Sequence, residues 1–345
     1  MSGRSELMPE GLGGRLVLAA GDYRRNRGLW LKARRSGLGA SDTATILGLN
    51  DWGTPLQIWQ EKTSQVPPDD SDLSDAAAAG NMLEHPVAVG TVKRWPELGK
   101  LAPTPGLLAH EEHPWMLATL DRLLLERGSN GGRLLSILEV KTTTSQNYKA
   151  RWIDGVPPAA IQVQVQQQLA VTGWPFAWVT CYLRDTGQFM EPFKVERSDE
   201  VIGQLIHYGG MWWRDHVLGG LRPEPTFGDR GRLGLLWPAD AAADAVTAGP
   251  ELEKAVADLA DAKRRKKQAE EDEERGAFTL KMAMRERTGI VNGKGELLAT
   301  WKKGTSRRFQ EKKFKADHPD LAAEYSPAVE GRGNLLLSKA AKGEE

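Results

Sequence analysis

The chain has 345 residues, 40% hydrophobic and 27% charged, which suits a globular protein of one large or two modest domains. Its 46 basic and 46 acidic residues cancel, so any nucleic-acid contact must come from local patches and not from a global field. Cys181 is the only cysteine, which excludes an intrachain disulfide and a thiolate-held zinc or iron–sulfur centre; a core thiol is the expected role.

Residues 1–20 are glycine-rich, and a flexible N-terminus is expected there. A helix over Tyr23 to Arg35 would carry a basic cluster, Arg24, Arg25, Arg27, Lys32, Arg34 and Arg35. The glycines of Ser36-Gly37-Leu38-Gly39 permit a tight turn, with Ser41 expected to cap a helix over Asp42 to Leu47. Thr54 and Pro55 read as the cap and first position of another helix, to about Lys62. The acidic run Asp69, Asp70, Asp72 and Asp75 reads as solvated surface. A long helix is expected from Leu73 to about Trp95, kinked at Pro86, with Gly80 and Glu84 on one face.

From about Leu101 the period becomes strand-like. Leu107 to Ala109, Met116 to Glu126 and Leu134 to Thr142 read as strands, the last two joined by a hairpin through Arg127 to Gly132. A short helix over Tyr148 to Ile153 precedes a firmer one over Pro157 to Thr172, closed by Gly173. On it Ile161, Val165 and Leu169 form an apolar stripe flanked by Gln164 and Gln168. Phe176 to Leu183 and Gln188 to Val195 form a second hairpin, and Ser198 caps a helix to about Leu218. This order predicts an α/β (α+β) domain over 21–220, a Gly/Pro-rich linker over 221–238 and a charged, mostly helical extension over 239–345. The extension opens with a helix over Ala239 to Arg287, solvated or coiled-coil, in which Lys263 to Lys267 precede Glu270 to Glu274. A small hairpin turns through Asn292 to Gly295. The six histidines show no His-x-x-x-His spacing, no stretch is long and apolar enough for a membrane span, and no signal peptide opens the chain, so a cytoplasmic protein with no membrane partner is expected.

Side chains two apart on a strand share a face, so Glu139 and Lys141 project together. Asp121, heading the preceding apolar run, would join them across the hairpin. Two carboxylates with the Val140 carbonyl offer Mg²⁺ part of an oxygen shell, and Lys141 could orient a water and stabilise developing charge. The bland alternatives are an exposed Glu-x-Lys on a half-buried strand and a polar helix edge at Gln164 and Gln168.

Taken together these segments resemble the YqaJ-type viral recombinases, relatives of bacteriophage lambda exonuclease with the PD-(D/E)xK fold. The matching stretches are Arg35 to Asp42, Thr54 to Thr63, Gly80 to Glu84, Asp121, Glu139-Val140-Lys141-Thr142 and Gln164 to Gly173, in order over about residues 30–215. Leu120 stands where the family has proline before its aspartate. The resemblance implies a restriction-endonuclease-like core with a central mixed sheet flanked by helices. It implies a metal-dependent 5′→3′ exonuclease on double-stranded DNA, using Mg²⁺ with Mn²⁺ as a substitute. Asp121 and Glu139 would bind metal, Lys141 would activate water, Glu84 would sit beside the metal and Gln164 would support the site. Ser41 and Arg35, with Arg34 as the alternative, would contact a 5′ phosphate. A ring-shaped homotrimer and a single-strand annealing recombinase as partner are further implications. An endonuclease of the same fold and a catalytically silent DNA-binding scaffold are the competing expectations.

Overall fold

The computed structural model describes residues 12–64, 75–127, 133–237, 245–302, 304, 309–326, 335–338 and 341. Two compact units divide the chain, Met1–Gly231 and Arg232–Glu345. The first alternates strands and helices and is mixed α+β.

It opens with β1 (Arg15–Ala19), so the part of the glycine-rich N-terminus described here is a strand and not a flexible tail. The basic segment forms two helices, α1 (Ala20–Arg25) and α2 (Arg27–Arg34), because Asn26 leaves helical geometry and its side chain caps α2. Next, α3 (Ala40–Ile46) is capped at Gly39, where Asp42 accepts from the Gly39 N–H; Ser41 lies inside the helix and does not cap it. α4 (Pro55–Thr63) starts at Thr54 as expected, with a reciprocal Thr54–Gln57 capping box. α5 (Asp75–Arg94) runs on through Pro86 as one helix. The acidic run before it, and the hairpin tip at 128–132, lie outside the described residues apart from Asp75.

The run over Met116 to Glu126 is two strands and not one. β4 (Leu117–Thr119) joins β3 (Gly106–Ala109) and β1 in a three-stranded sheet, in the order β1-β3-β4. After Leu120 and Asp121, β5 (Arg122–Arg127) enters the central sheet. That sheet runs β2 (Lys100–Ala102), β5, β6 (Arg133–Thr143), β7 (Phe176–Leu183), β8 (Gln188–Phe189), and β9 (Phe193–Glu196) also pairs with β7. It is mixed: β6 and β7 are parallel and the other pairs antiparallel. The parallel pair needs a crossover, supplied by α6 (Ser145–Arg151) and α7 (Ala159–Thr172). Gly173 ends α7 with φ +72°, the left-handed conformation glycine adopts without strain. α8 (Asp199–Trp212) follows and passes into wider π turns over Trp213–Leu218.

Each face of the central sheet has its own core. Leu123, Ile137, Val179 and Cys181 pack with Val165 and Leu169 of α7. On the opposite face Leu124, Leu138 and Val140 pack with Val87 and Ala88 of α5. Alternation along β6 therefore sends Glu139 and Lys141 toward α7 and Val140 toward α5.

The stretch expected to be a linker over 221–238 is partly folded onto this unit. Thr226–Asp229 forms a capped turn whose buried Asp229 accepts from the Thr54 hydroxyl at 2.6 Å.

The second unit contains α9 (Leu233–Leu236), the 35-residue α10 (Pro250–Met284), the hairpin β10 (Gly289–Val291) and β11 (Leu297–Thr300), α11 (Glu311–Asp317) and α12 (Pro319–Glu324). The charged helix thus begins about ten residues later than its composition suggests, at Pro250, a favoured first helical residue. Among the described residues, no helix is long and apolar enough to cross a membrane.

Candidate active site

The β5–β6 register builds the centre of the site. Arg122 lies opposite Leu138, so the next step outward sets Asp121 opposite Glu139, on the same face. The chain is leaving the sheet at this point, and a side chain takes over the ladder: Asp121 Oδ2 accepts from the Val140 N–H at 2.8 Å. Glu139 is 1% exposed and fully engaged. Its Oε1 accepts from Lys141 Nζ at 2.7 Å and Gln164 Nε2 at 2.6 Å, and its Oε2 from Gln168 Nε2 at 2.7 Å. Lys141 also donates to Gln164 Oε1 at 2.9 Å. Gln164 therefore touches both members of the Glu-x-Lys pair, and Gln168, one turn further on α7, completes the grip.

The glutamines of α7 are staples on more than one side, not a polar edge. Gln167 donates to the carbonyls of Leu38 and Leu117 at 2.9 and 2.8 Å and accepts from Thr43. Gln166 bridges the Glu196 carbonyl and the Ser198 N–H.

An open cleft of about 880 Å³ lies over this centre, lined among others by Asp121, Gln164, Glu84, Arg34, Ser41 and Trp30. Glu84 pairs with the Arg122 guanidinium, which also donates to the Asp121 carbonyl. Of the two arginines considered for an anion contact, Arg34 lines the cleft, whereas Arg35 is turned to the Ser64 carbonyl at 3.1 Å. Arg34 stacks over the Trp30 ring at 4.9 Å and donates to Asp42 Oδ1 at 2.5 Å.

Asp42 and Lys62 were not among the expected site residues. Lys62 Nζ, wholly buried, meets Asp42 Oδ2 at 2.7 Å and the Arg34 carbonyl at 3.1 Å. Burial opposes ionisation of Asp42, but Arg34 and Lys62 outweigh it and hold its carboxyl below the usual range. Buried charge cannot be told from surface charge by residue type, so only the spacing of Asp42 after Gly39 hinted at a role.

Electrostatically the centre is short of positive charge. Burial, then the charges of Glu139 and Glu84, push the Asp121 carboxyl well above the ordinary carboxylate value. Burial works against the Lys141 ammonium, but Glu139 and Asp121 overcome it and raise its pKa. Beside Glu139, the buried Oε1 of Gln168 has no hydrogen-bond partner. Among the described residues, no three His, Cys, Asp or Glu side chains are gathered tightly enough to hold a metal by themselves; any cation here would rest on Asp121, Glu139 and backbone oxygen.

Residues 29–175, less than half of the chain, match the model of the YqaJ-like viral recombinase domain. The "Uncharacterized protein YqaJ" of Bacillus subtilis (strain 168) is 35% identical over 209 residues, 61% of this chain and 62% of that relative. The chain thus spans less than two thirds of the curated relative it matches. Among solved structures, it resembles an alkaline exonuclease (LHK-Exo) from Laribacter hongkongensis at 18% identity and a TM-score of 0.41, over 53% of this chain and 89% of that one. The same protein in complex with dAMP gives 17% identity and a TM-score of 0.44, over 60% and 98%.

Proposed function

We propose that the unit Met1–Gly231 is a metal-dependent deoxyribonuclease that digests double-stranded DNA from a 5′ end and leaves 3′ single-stranded tails. The observation that carries this is the convergence of Asp121, Glu139 and Lys141 on one sheet face, with Gln164 bridging the last two, beneath an open cleft.

The donor set fits a hard divalent cation. The Asp121 and Glu139 carboxylates and the Val140 carbonyl are all oxygen ligands of the kind Mg²⁺ and Mn²⁺ prefer. The crowding that pushes the Asp121 carboxyl up is of the sign such an ion would relieve. Bound there, the ion would supply an acidified water and neutralise charge on the phosphate. Lys141, held beside Glu139 by Gln164, orients the attacking water and offsets negative charge as the phosphodiester is hydrolysed. Glu84, tied to Arg122, adds negative potential at the cleft wall. Arg34 and Ser41 give the cleft an anion-binding side suited to a terminal 5′ phosphate. A single-strand annealing protein is the natural consumer of the tails.

The test is digestion of a duplex labelled at one 5′ or one 3′ end, with Mg²⁺ or Mn²⁺ and with a chelator. The expected result is metal-dependent nucleotide release from the 5′ end, lost in Lys141→Ala. Cutting of closed circular DNA would favour an endonuclease instead, and no cleavage with any divalent ion would sink the proposal.

A further inference from the structure

The proposed chemistry makes no use of α10. Its sequence carries a strict four-three spacing: Leu252, Val256, Leu259, Lys263, Lys266, Glu270, Glu273, Ala277, Leu280 and Met284. Residues at that spacing share one stripe of an α-helix wound in a coiled coil. Most of the stripe is bare: Leu252 is 52% exposed, Val256 39% and Leu280 45%, and the four charged members are exposed. Leu259 and Ala277 are half-buried, and only Met284 is buried.

The content of the stripe is self-complementary about Gln268, next to the middle of the helix. Laid antiparallel on a second copy, Lys263 falls opposite Glu273 and Lys266 opposite Glu270. Leu259 meets Ala277, Val256 meets Leu280, and Leu252 reaches Met284. Each layer then pairs an a-type with a d-type position, as antiparallel coiled coils require. In a parallel pair the same helix would set Lys263 on Lys263 and Glu270 on Glu270, and like charges at the seam select against that orientation. Within one helix the runs help little. Lys266 reaches Glu270 only at 3.7 Å, with both side chains exposed, and lysine ahead of glutamate is the weaker order for such a pair.

We propose that α10 is a homodimerisation helix that pairs antiparallel with α10 of a second copy of this chain, through apolar ends and a central Lys–Glu lock. This does not depend on the nuclease reading.

The full-length protein serves for the test. Sedimentation across protein concentration should show a dimer step that weakens with added salt. The double variants Lys263→Glu with Lys266→Glu, and Glu270→Lys with Glu273→Lys, should each weaken it at least about tenfold. An equimolar mixture of the two should restore it, and this arm shows that both variants keep their helix. The orientation is read by cross-linking. Leu259→Cys with Ala277→Cys should give a covalent dimer on mild oxidation, and Leu259→Cys alone should not. Cys181 is buried, its thiol pushed up to about 12, and does not compete. A wild-type monomer at all concentrations overturns the proposal. So does cross-linking of the single variant, or an oligomer that neither charge reversal affects, as a trimer held through the first unit would be.

Discussion

Asp121 and Asp42 are two carboxylates with opposite electrostatic roles. Asp42 sits between Arg34 and Lys62, and its folded pKa is depressed. Its contribution to stability is therefore full above the unfolded carboxylate pKa and is lost as pH falls toward the depressed folded value. Asp42→Ala takes the shared carboxylate from the buried Lys62 and the half-buried Arg34, leaving only the Glu61 carboxylate beside Lys62, and should cost about 3 kcal/mol; denaturant melts at neutral pH would measure it, and the variant's acid sensitivity should be smaller than the parent's. Asp121 is the reverse case. Its folded pKa is raised, so the stabilisation it gives is present below the unfolded value and lost as pH rises through the folded one. Asp121→Asn should therefore raise the Tm of the metal-free protein at neutral pH by roughly 2–5 °C while abolishing nuclease activity. A lower Tm for this variant in chelator would refute the view of the site as charge-strained. That Glu139 and Lys141 share a face was legible in the sequence because strand alternation is a strong geometric rule. Gln168 was visible only as a flank of the α7 stripe: an amide on a helix edge says nothing of which carboxylate it meets.

The elements that carry the site are set by close backbone approaches. The turn between α2 and α3 lies against the segment before β4: Leu38 donates to the Trp115 carbonyl at 2.6 Å and Leu117 to that of Leu38 at 2.8 Å. A Cβ on Gly37 would stand 2.2 Å from that Trp115 oxygen. Gly37→Ala should thus cost about 1–3 kcal/mol and, by displacing the turn between Arg34 and Ser41, weaken binding of 5′-phosphorylated duplex, as anisotropy titration would show. Gln167→Ala, which strips donors from the carbonyls of Leu38 and Leu117, should lose about 1–3 kcal/mol and act on the same turn. Helix caps at Thr54 and Ser198 and the closing Gly173 were readable because each follows from local chemistry. The division of 116–126 into β4 and β5 was not. The apolar residues on both sides of the break, Met116, Leu117 and Ala118 before it and Leu123 and Leu124 after it, are buried whichever sheet they join, so the pattern hides the change of sheet.

At the scale of the whole chain, composition marked the Gly/Pro-rich stretch from Gly219 but not where the fold of the first unit stops. Asp229, fully buried on Thr54, extends that unit to Gly231. A chain ended after Gly231 should melt as cooperatively as its parent domain. One ended after Gly220 should lose several degrees of Tm, because the Thr54 hydroxyl keeps the Gln57 N–H but loses the buried carboxylate to which it donates. Differential scanning calorimetry of the two truncations distinguishes them, and equal Tm values would show that 221–231 is a mere connector.

The bond from the Val140 amide to Asp121 also gives the protein an internal spectroscopic probe. This N–H belongs to the strand holding Glu139 and Lys141, yet its acceptor is a carboxylate whose charge follows its proton and, in the proposed nuclease, a bound cation. Its ¹⁵N–¹H resonance should move far downfield when Asp121 is ionised and shift again as Mg²⁺ is added, so titration of one backbone peak would follow the occupancy of the centre without any turnover.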